Sequence, residues 1–185
     1  MEIARDLDRN NCVIGQGVNR VVNNILSGTG LVLNVDTGDE EIDRELETRF
    51  SSWAEDKMHV DISRKSTFAE LARLVLRHTI VDGDCFVLPL REGKLQAIEA
   101  HRVRTPRNTK KNVIHGVLLN EYAAAEEYWI TKEEIDPQRS VERVKDVSPI
   151  QALDSQGREQ VFHCADPVRF SQTRGVTCLA PVADI

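Results

Sequence analysis

Several chemistry-bearing patterns are missing from this 185-residue chain. Its four cysteines, Cys12, Cys85, Cys164 and Cys178, form no CxxC pair. That argues against zinc ribbons and thioredoxin-like chemistry and leaves free thiols in a reducing compartment as the reading. There is no GxxxxGK[ST] loop, so the chain is not expected to hydrolyse nucleotides. Gly15-Gln-Gly17 is half of a dinucleotide fingerprint, but it follows no strand and Arg20 stands at the third glycine position. The histidines His59, His78, His101, His115 and His163 fall in no HExxH pair. No apolar run approaches the length of a membrane-spanning helix. The opening MEIARDLDRNN is too charged for a signal peptide, so cytoplasmic synthesis is expected. A formal net charge of −6 argues against a free-standing nucleic-acid binder.

What is present is an ordinary globular composition, 41% hydrophobic and 29% charged, at a length of one domain or slightly more. Ile14, Val18, Val21, Val22, Ile25 and Leu26 recur at helical spacing, with a break from a short leading helix at Asn10-Asn11 and a stop at Gly28 and Gly30. Leu31 to Val35 reads as a short strand. A second long helix is expected from about Asp39, with Ile42, Leu46, Phe50 and Trp53 as its apolar stripe. Thr67-Phe-Ala-Glu70 is a capping box opening a third, which Asp82-Gly83 ends.

From Cys85 the pattern changes to strands. Cys85–Leu90 is nearly all apolar, with Pro89 at a sheet edge. Arg91-Glu-Gly-Lys94 is a tight turn and Leu95–Val103 a return strand. Gly116–Leu119 and Tyr128–Ile130 suggest a hairpin, although the intervening Glu121–Glu127 favours helix. Residues 131–156 read as a long loop, and Val161–Cys164 as a short strand. Helices followed by strands predict an α+β fold, N-terminal helices packed on a mainly antiparallel sheet, with a helical part at 1–82 and a sheet-rich part at 83–185.

Candidate chemistry is sparse. Asp82 and Asp84 offer two carboxylates without the further oxygens of a calcium loop. His163-Cys164 pairs a base with a thiol, but neighbours in a strand point to opposite faces. Arg102, Arg104, Arg107, Lys110 and Lys111 form a basic cluster without interleaved aromatics, which reads as a solvated loop. Near the end, the Arg174-Gly175 step allows a sharp turn, and Pro181 suits the first turn of a helix.

In order along the chain, several segments resemble the lambda type of tailed-phage portal protein. They are Ala4-Arg-Asp-Leu-Asp-Arg-Asn-Asn11, Leu26-Ser-Gly-Thr-Gly-Leu31, Trp53-Ala54, Thr67-Phe68, Val81-Asp-Gly-Asp-Cys-Phe-Val87, Leu95-Gln-Ala-Ile-Glu-Ala-His-Arg-Val103, Gly116-Val117, Asn120-Glu-Tyr122, Gln172-Thr-Arg-Gly-Val176 and Leu179-Ala-Pro-Val182. The family-motif positions are Arg5, Asp6, Asn10, Asp82, Gly83, Glu99, Arg174, Gly175 and Pro181. At Ala123 and Ala124 the family tends to have turn-forming residues, and at Cys178 a large aromatic, which implies a local cavity here.

The resemblance implies a structural protein with no catalytic residues, cofactor or metal. Such proteins form a closed ring of about twelve copies built from head-to-tail interfaces. The ring sits at one capsid vertex of the virion and is assembled in the host cytoplasm. DNA is packaged and ejected through it, and terminase, capsid and tail or adaptor proteins attach to it. The chain would cover the wing-like region. With a helix-start signal at Pro181 and an end at Ile185, it is expected to be a fragment lacking stem, clip and crown. Two other classes compete with this reading. One is a small hydrolase-like enzyme using Asp82, Asp84, Cys85 or His163. The other is a generic interaction module.

Overall fold

In the computed structural model, residues 2–27, 30–106, 112–131 and 147–182 are described. Two helices open the chain, α1 (Glu2–Asn10) and α2 (Cys12–Ile25). The break between them is a cap. Asn11 is extended, and its side chain accepts hydrogen bonds from the backbone N–H groups of Val13 and Ile14, filling donors a helix start leaves unpaired. Gly15 allows α1 and α2 to touch, since a Cβ there would stand 2.5 Å from the Asp8 carbonyl oxygen.

The segment read as a strand at Leu31–Val35 is irregular. At and just after its end the backbone is held by side chains: Glu47 accepts from the Val35 N–H, and Asp43 from that of Thr37. Those acceptors belong to α3 (Glu40–Glu55), which begins where expected and is capped by Asp39. Its apolar stripe is only partly covered. Phe50 and Trp53 meet Phe68 at ring-centroid distances of 5.6 and 5.4 Å, whereas Ile42 and Leu46 remain 47% and 43% exposed.

A short α4 (Lys57–Val60) leads to Asp61, a buried carboxylate. It accepts from the Ser63 hydroxyl and the N–H groups of Ser63, Lys65 and Ser66, so one side chain shapes the turn. The capping box at Thr67 and Glu70 forms and opens α5 (Phe68–Asp82). Gly83 ends it at φ +96°, a conformation natural to glycine.

Strands follow: β1 (Asp84–Pro89), β2 (Leu95–Glu99), β3 (Val113–Ile114), β4 (Val117–Leu119), β5 (Ala125–Thr131), β6 (Val147–Gln151) and β7 (Phe162–Ala165). They make two antiparallel sheets among the described residues, β2-β1-β7 and β3-β4-β5-β6. Pro89 is tolerated because β7 pairs with β1 only as far as Val87. The return strand stops at Glu99 and turns through Ala100–Arg102 before Val103 bridges to Ile130.

The expected hairpin forms, as β4 paired with β5. The helix propensity of Glu121–Glu127 does not prevail: the Asn120 side chain accepts from the N–H groups of Tyr122 and Ala124, and Ala123 adopts φ +63°. Local side-chain bonding therefore overrides helix propensity. The loop read over 131–156 contains β6, which pairs Val147–Gln151 with Thr131–Glu127. Its middle, and the basic residues Arg107, Lys110 and Lys111 with Gly28, lie outside the described residues.

Two cores result. Ala4, Val18, Val22, Val81 and Leu179 lie buried among α1, α2, α5 and the C-terminal segment. Phe86, Leu88, Ile98, Val103, Val117, Tyr128 and Ile130 join the two sheets.

Candidate functional site

The Asp82-Gly83-Asp84 step stands between the cores. α5 delivers Asp82 at its last residue, and β1 begins with Asp84. Both are buried, at 5% and 1% exposure. A buried carboxylate needs compensation, and each finds an arginine from a distant part of the chain.

Arg5 on α1 forks onto Asp82. Its Nε donates to Oδ1 and its Nη2 to Oδ2, both at 2.6 Å. The same Nη2 donates to Glu99 Oε2 at 2.9 Å, and His78 Nδ1 lies 2.7 Å from Asp82 Oδ2. On the other side of the glycine, Arg174 forks onto Asp84, with Nε 2.5 Å from Oδ2 and Nη2 2.9 Å from Oδ1. His163 Nε2 and the Gly175 N–H also reach Oδ2, each at 3.0 Å. The remaining donors of Arg174 meet the carbonyls of Ala100, Val103 and His115, so all five of its N–H groups are engaged. Its guanidinium also lies over the Phe86 ring, 5.0 Å from the centroid.

Electrostatics follow from this geometry. Burial pushes the Asp84 carboxyl up, but the hydrogen bonds from Arg174 and His163 outweigh it and hold the group well below the usual carboxylate range. Asp82 shows the same balance: burial raises it, while Arg5 and His78 bring it below its ordinary value. Glu99 is drawn down to about 2, first by the hydrogen bond from His101, against burial and with help from Arg5. All three are therefore anionic at neutral pH.

The glycines permit the close approach. A Cβ on Gly175 would lie 1.9 Å from the Gly83 carbonyl oxygen, and one on Gly83 would lie 2.7 Å from the Gly175 backbone. Gly175 does not adopt positive φ. It makes a close backbone contact, and the chain bends at Arg174 beside it, as the Arg-Gly step suggests.

Of the motif positions, Arg5, Asp82, Gly83, Glu99, Arg174 and Gly175 come together here. Asp6 and Asn10 do not: they bond to each other on the exposed side of α1. Pro181 lies in a single 3₁₀ turn, Ala180–Val182. Cys178 is exposed, so the smaller side chain lies at the surface. The part played by Asp84, with His78, His101 and His163, was missed. One signal was available: a carboxylate heading an apolar strand needs a partner, and Arg174 follows in the same chain.

Of the groups considered for catalysis, His163 and Asp84 meet, while Cys85 lies apart from them. Both aspartates are committed to arginines. His163 stacks on Phe86 at 4.4 Å, while the Cys85 thiol faces the Val75 carbonyl on α5 from the other side of the sheet. A cleft of about 860 Å³ adjoins both clamps and is bordered by Arg5, His101, Arg104 and Arg174. Its clamp arginines are already neutralised by Asp82, Glu99 and Asp84. His78, Asp82 and Glu99 offer metal-type ligand atoms within 4.8 Å of one another, but the Arg5 guanidinium donates to two of the three.

Ion pairs to buried Asp82 and Asp84 tie α1 and the C-terminal strap around Arg174 to the junction of α5 and the β2-β1-β7 sheet. The sequence pattern described as phage portal protein, lambda family, matches residues 2–184, and the chain belongs to that family. The family is a structural one, associated with the bacteriophage capsid and head–tail connector, and implies oligomeric assembly with other phage proteins. No match was found among curated proteins. Among the described residues, no helix is long and apolar enough to cross a membrane.

Proposed function

We propose that this chain forms the wing-like part of a portal subunit, with residues 1–82 as its helical portion and 83–185 as its sheet-rich portion. Copies assemble into a ring at one capsid vertex. DNA is packaged and ejected through that ring, and terminase and tail proteins dock on it. The observation that carries the reading is the family match over residues 2–184. The paired clamps agree with it: they make a rigid wedge whose charges are satisfied internally, as suits a part that bears load without performing chemistry. The exposed stripe of Ile42 and Leu46 leaves apolar surface for neighbours in such an assembly.

The test is electron microscopy of the purified product of the whole gene that carries these residues. Closed rings are expected. A strictly monomeric product over the micromolar range overturns the proposal.

A further inference from the structure

Cys85 and Cys164 are far apart in sequence but directly opposite each other in the β1–β7 pair. Facing residues of an antiparallel pair project to the same side of the sheet, with Cα atoms about 4.5 or 5.5 Å apart depending on the hydrogen-bonding site. Both spacings fall within the span a disulfide bridges, roughly 4.4–6.8 Å between Cα atoms. The face is also the same by contact. Cys85 reaches the Val75 carbonyl on α5, whereas the neighbouring pair Phe86 and His163 stack on the opposite side. Cys85 is buried and Cys164 is partly open to solvent.

The geometry points to a cross-strand dithiol at Cys85 and Cys164 that closes to an intrachain disulfide on reaction with a low-molecular-weight disulfide such as oxidised glutathione. Cys164 is the entry point. The hydrogen bond from Cys85 lowers its thiol, which favours the attacking thiolate. The Cys164 thiolate attacks one sulfur of glutathione disulfide, forming a mixed disulfide and expelling a glutathione thiolate. Cys85 is held high chiefly by its hydrogen bond with Cys164, and next by burial. Capping Cys164 removes the first of these effects. Cys85 then gives its proton to solvent, and its sulfur attacks Cys164 Sγ, expelling the second glutathione thiolate. The protein loses two electrons and two protons, and one glutathione disulfide becomes two glutathione thiols. The new bond lies beside Asp84, on the sheet face opposite Phe86, and fastens β7 to β1.

The chemistry is independent of the portal reading. The experiment is treatment of the folded chain with oxidised glutathione, acid quenching, alkylation and peptide mapping. Linked Cys85 and Cys164 peptides are expected, with Cys12 and Cys178 free or carrying glutathione. Dithiothreitol should restore all four alkylation sites, and the oxidised protein should melt at a higher temperature than the reduced one. Cys164→Ser should abolish the link. Persistent alkylation of both Cys85 and Cys164, a bond from either to Cys12 or Cys178, or an end product with glutathione on Cys164 and Cys85 free, each overturns the inference. The wild-type map decides the matter even if a variant fails to fold.

Discussion

Arg174 grips Asp84 through a two-pronged fork, 2.5 Å from Nε and 2.9 Å from Nη2, at a site where the carboxylate side chain is only 1% exposed. Arg174→Met removes one partner and leaves a buried charge. The expected cost is about 3–5 kcal/mol, read as a lower denaturant midpoint at unchanged slope. Arg174→Lys keeps the charge but cannot form the fork, and should fall between wild type and Arg174→Met. Equal stability of all three proteins would refute the importance of the clamp.

Acid sensitivity follows from the depressed carboxyls. Asp82, Asp84 and Glu99 titrate lower in the folded chain than when unfolded. As pH falls, the unfolded chain takes up these protons first. The stability they contribute is therefore present above their unfolded values, near about 4, and is lost as pH falls toward the folded ones. Melting temperature should hold from neutral pH to about 5 and decline below that. The decline should be shallower in Asp84→Asn, at lower overall stability. A flat wild-type profile down to about pH 3 would contradict the assignment.

Two glycines should respond in opposite directions to alanine. Gly17 lies in α2, and a methyl group added there would meet nothing within 4 Å, so Gly17→Ala should stabilise by about 0.5–1 kcal/mol. Gly175 faces the Gly83 carbonyl with no room for a Cβ. Gly175→Ala should cost about 2 kcal/mol or more as the strap is pushed off. Thermal melts of the two variants check both signs.

Ala123 holds φ +63° in the β4–β5 turn. Alanine is strained there by about 1–2 kcal/mol, and glycine gives back part of that gain through unfolded-state entropy. Ala123→Gly is expected to raise stability by up to about 1 kcal/mol. A lowered melting temperature would show that the turn does not retain this conformation in solution.

Local signals made the helices legible. Asn11, Asp39 and Thr67 each cap where a short polar side chain precedes apolar periodicity, and Gly83 stops α5 where a left-handed residue is needed. Partners distant in sequence were harder to read. Nothing near Leu31–Val35 reveals that the segment stays irregular and that an α3 carboxylate, Glu47, meets the Val35 N–H. Likewise β6 is short and interrupted by Pro149, and its pairing with β5 is fixed by register across residues that carry no periodic signal. At the site, the resemblance singled out Arg5, Asp82, Arg174 and Gly175, but their pairing is a property of the fold. Asp84 escaped because its charge reads as a strand boundary until its burial is known.

The common anchorage of α1 and the strap has a mechanical consequence. Tension applied between Arg5 and Arg174 would run through Asp82, Gly83 and Asp84, a path three residues long. The β3-β4-β5-β6 sheet is coupled to the same short circuit, through the Arg174 bond to the His115 carbonyl and the apolar packing around Phe86, so force entering at either arginine is shared by both sheets.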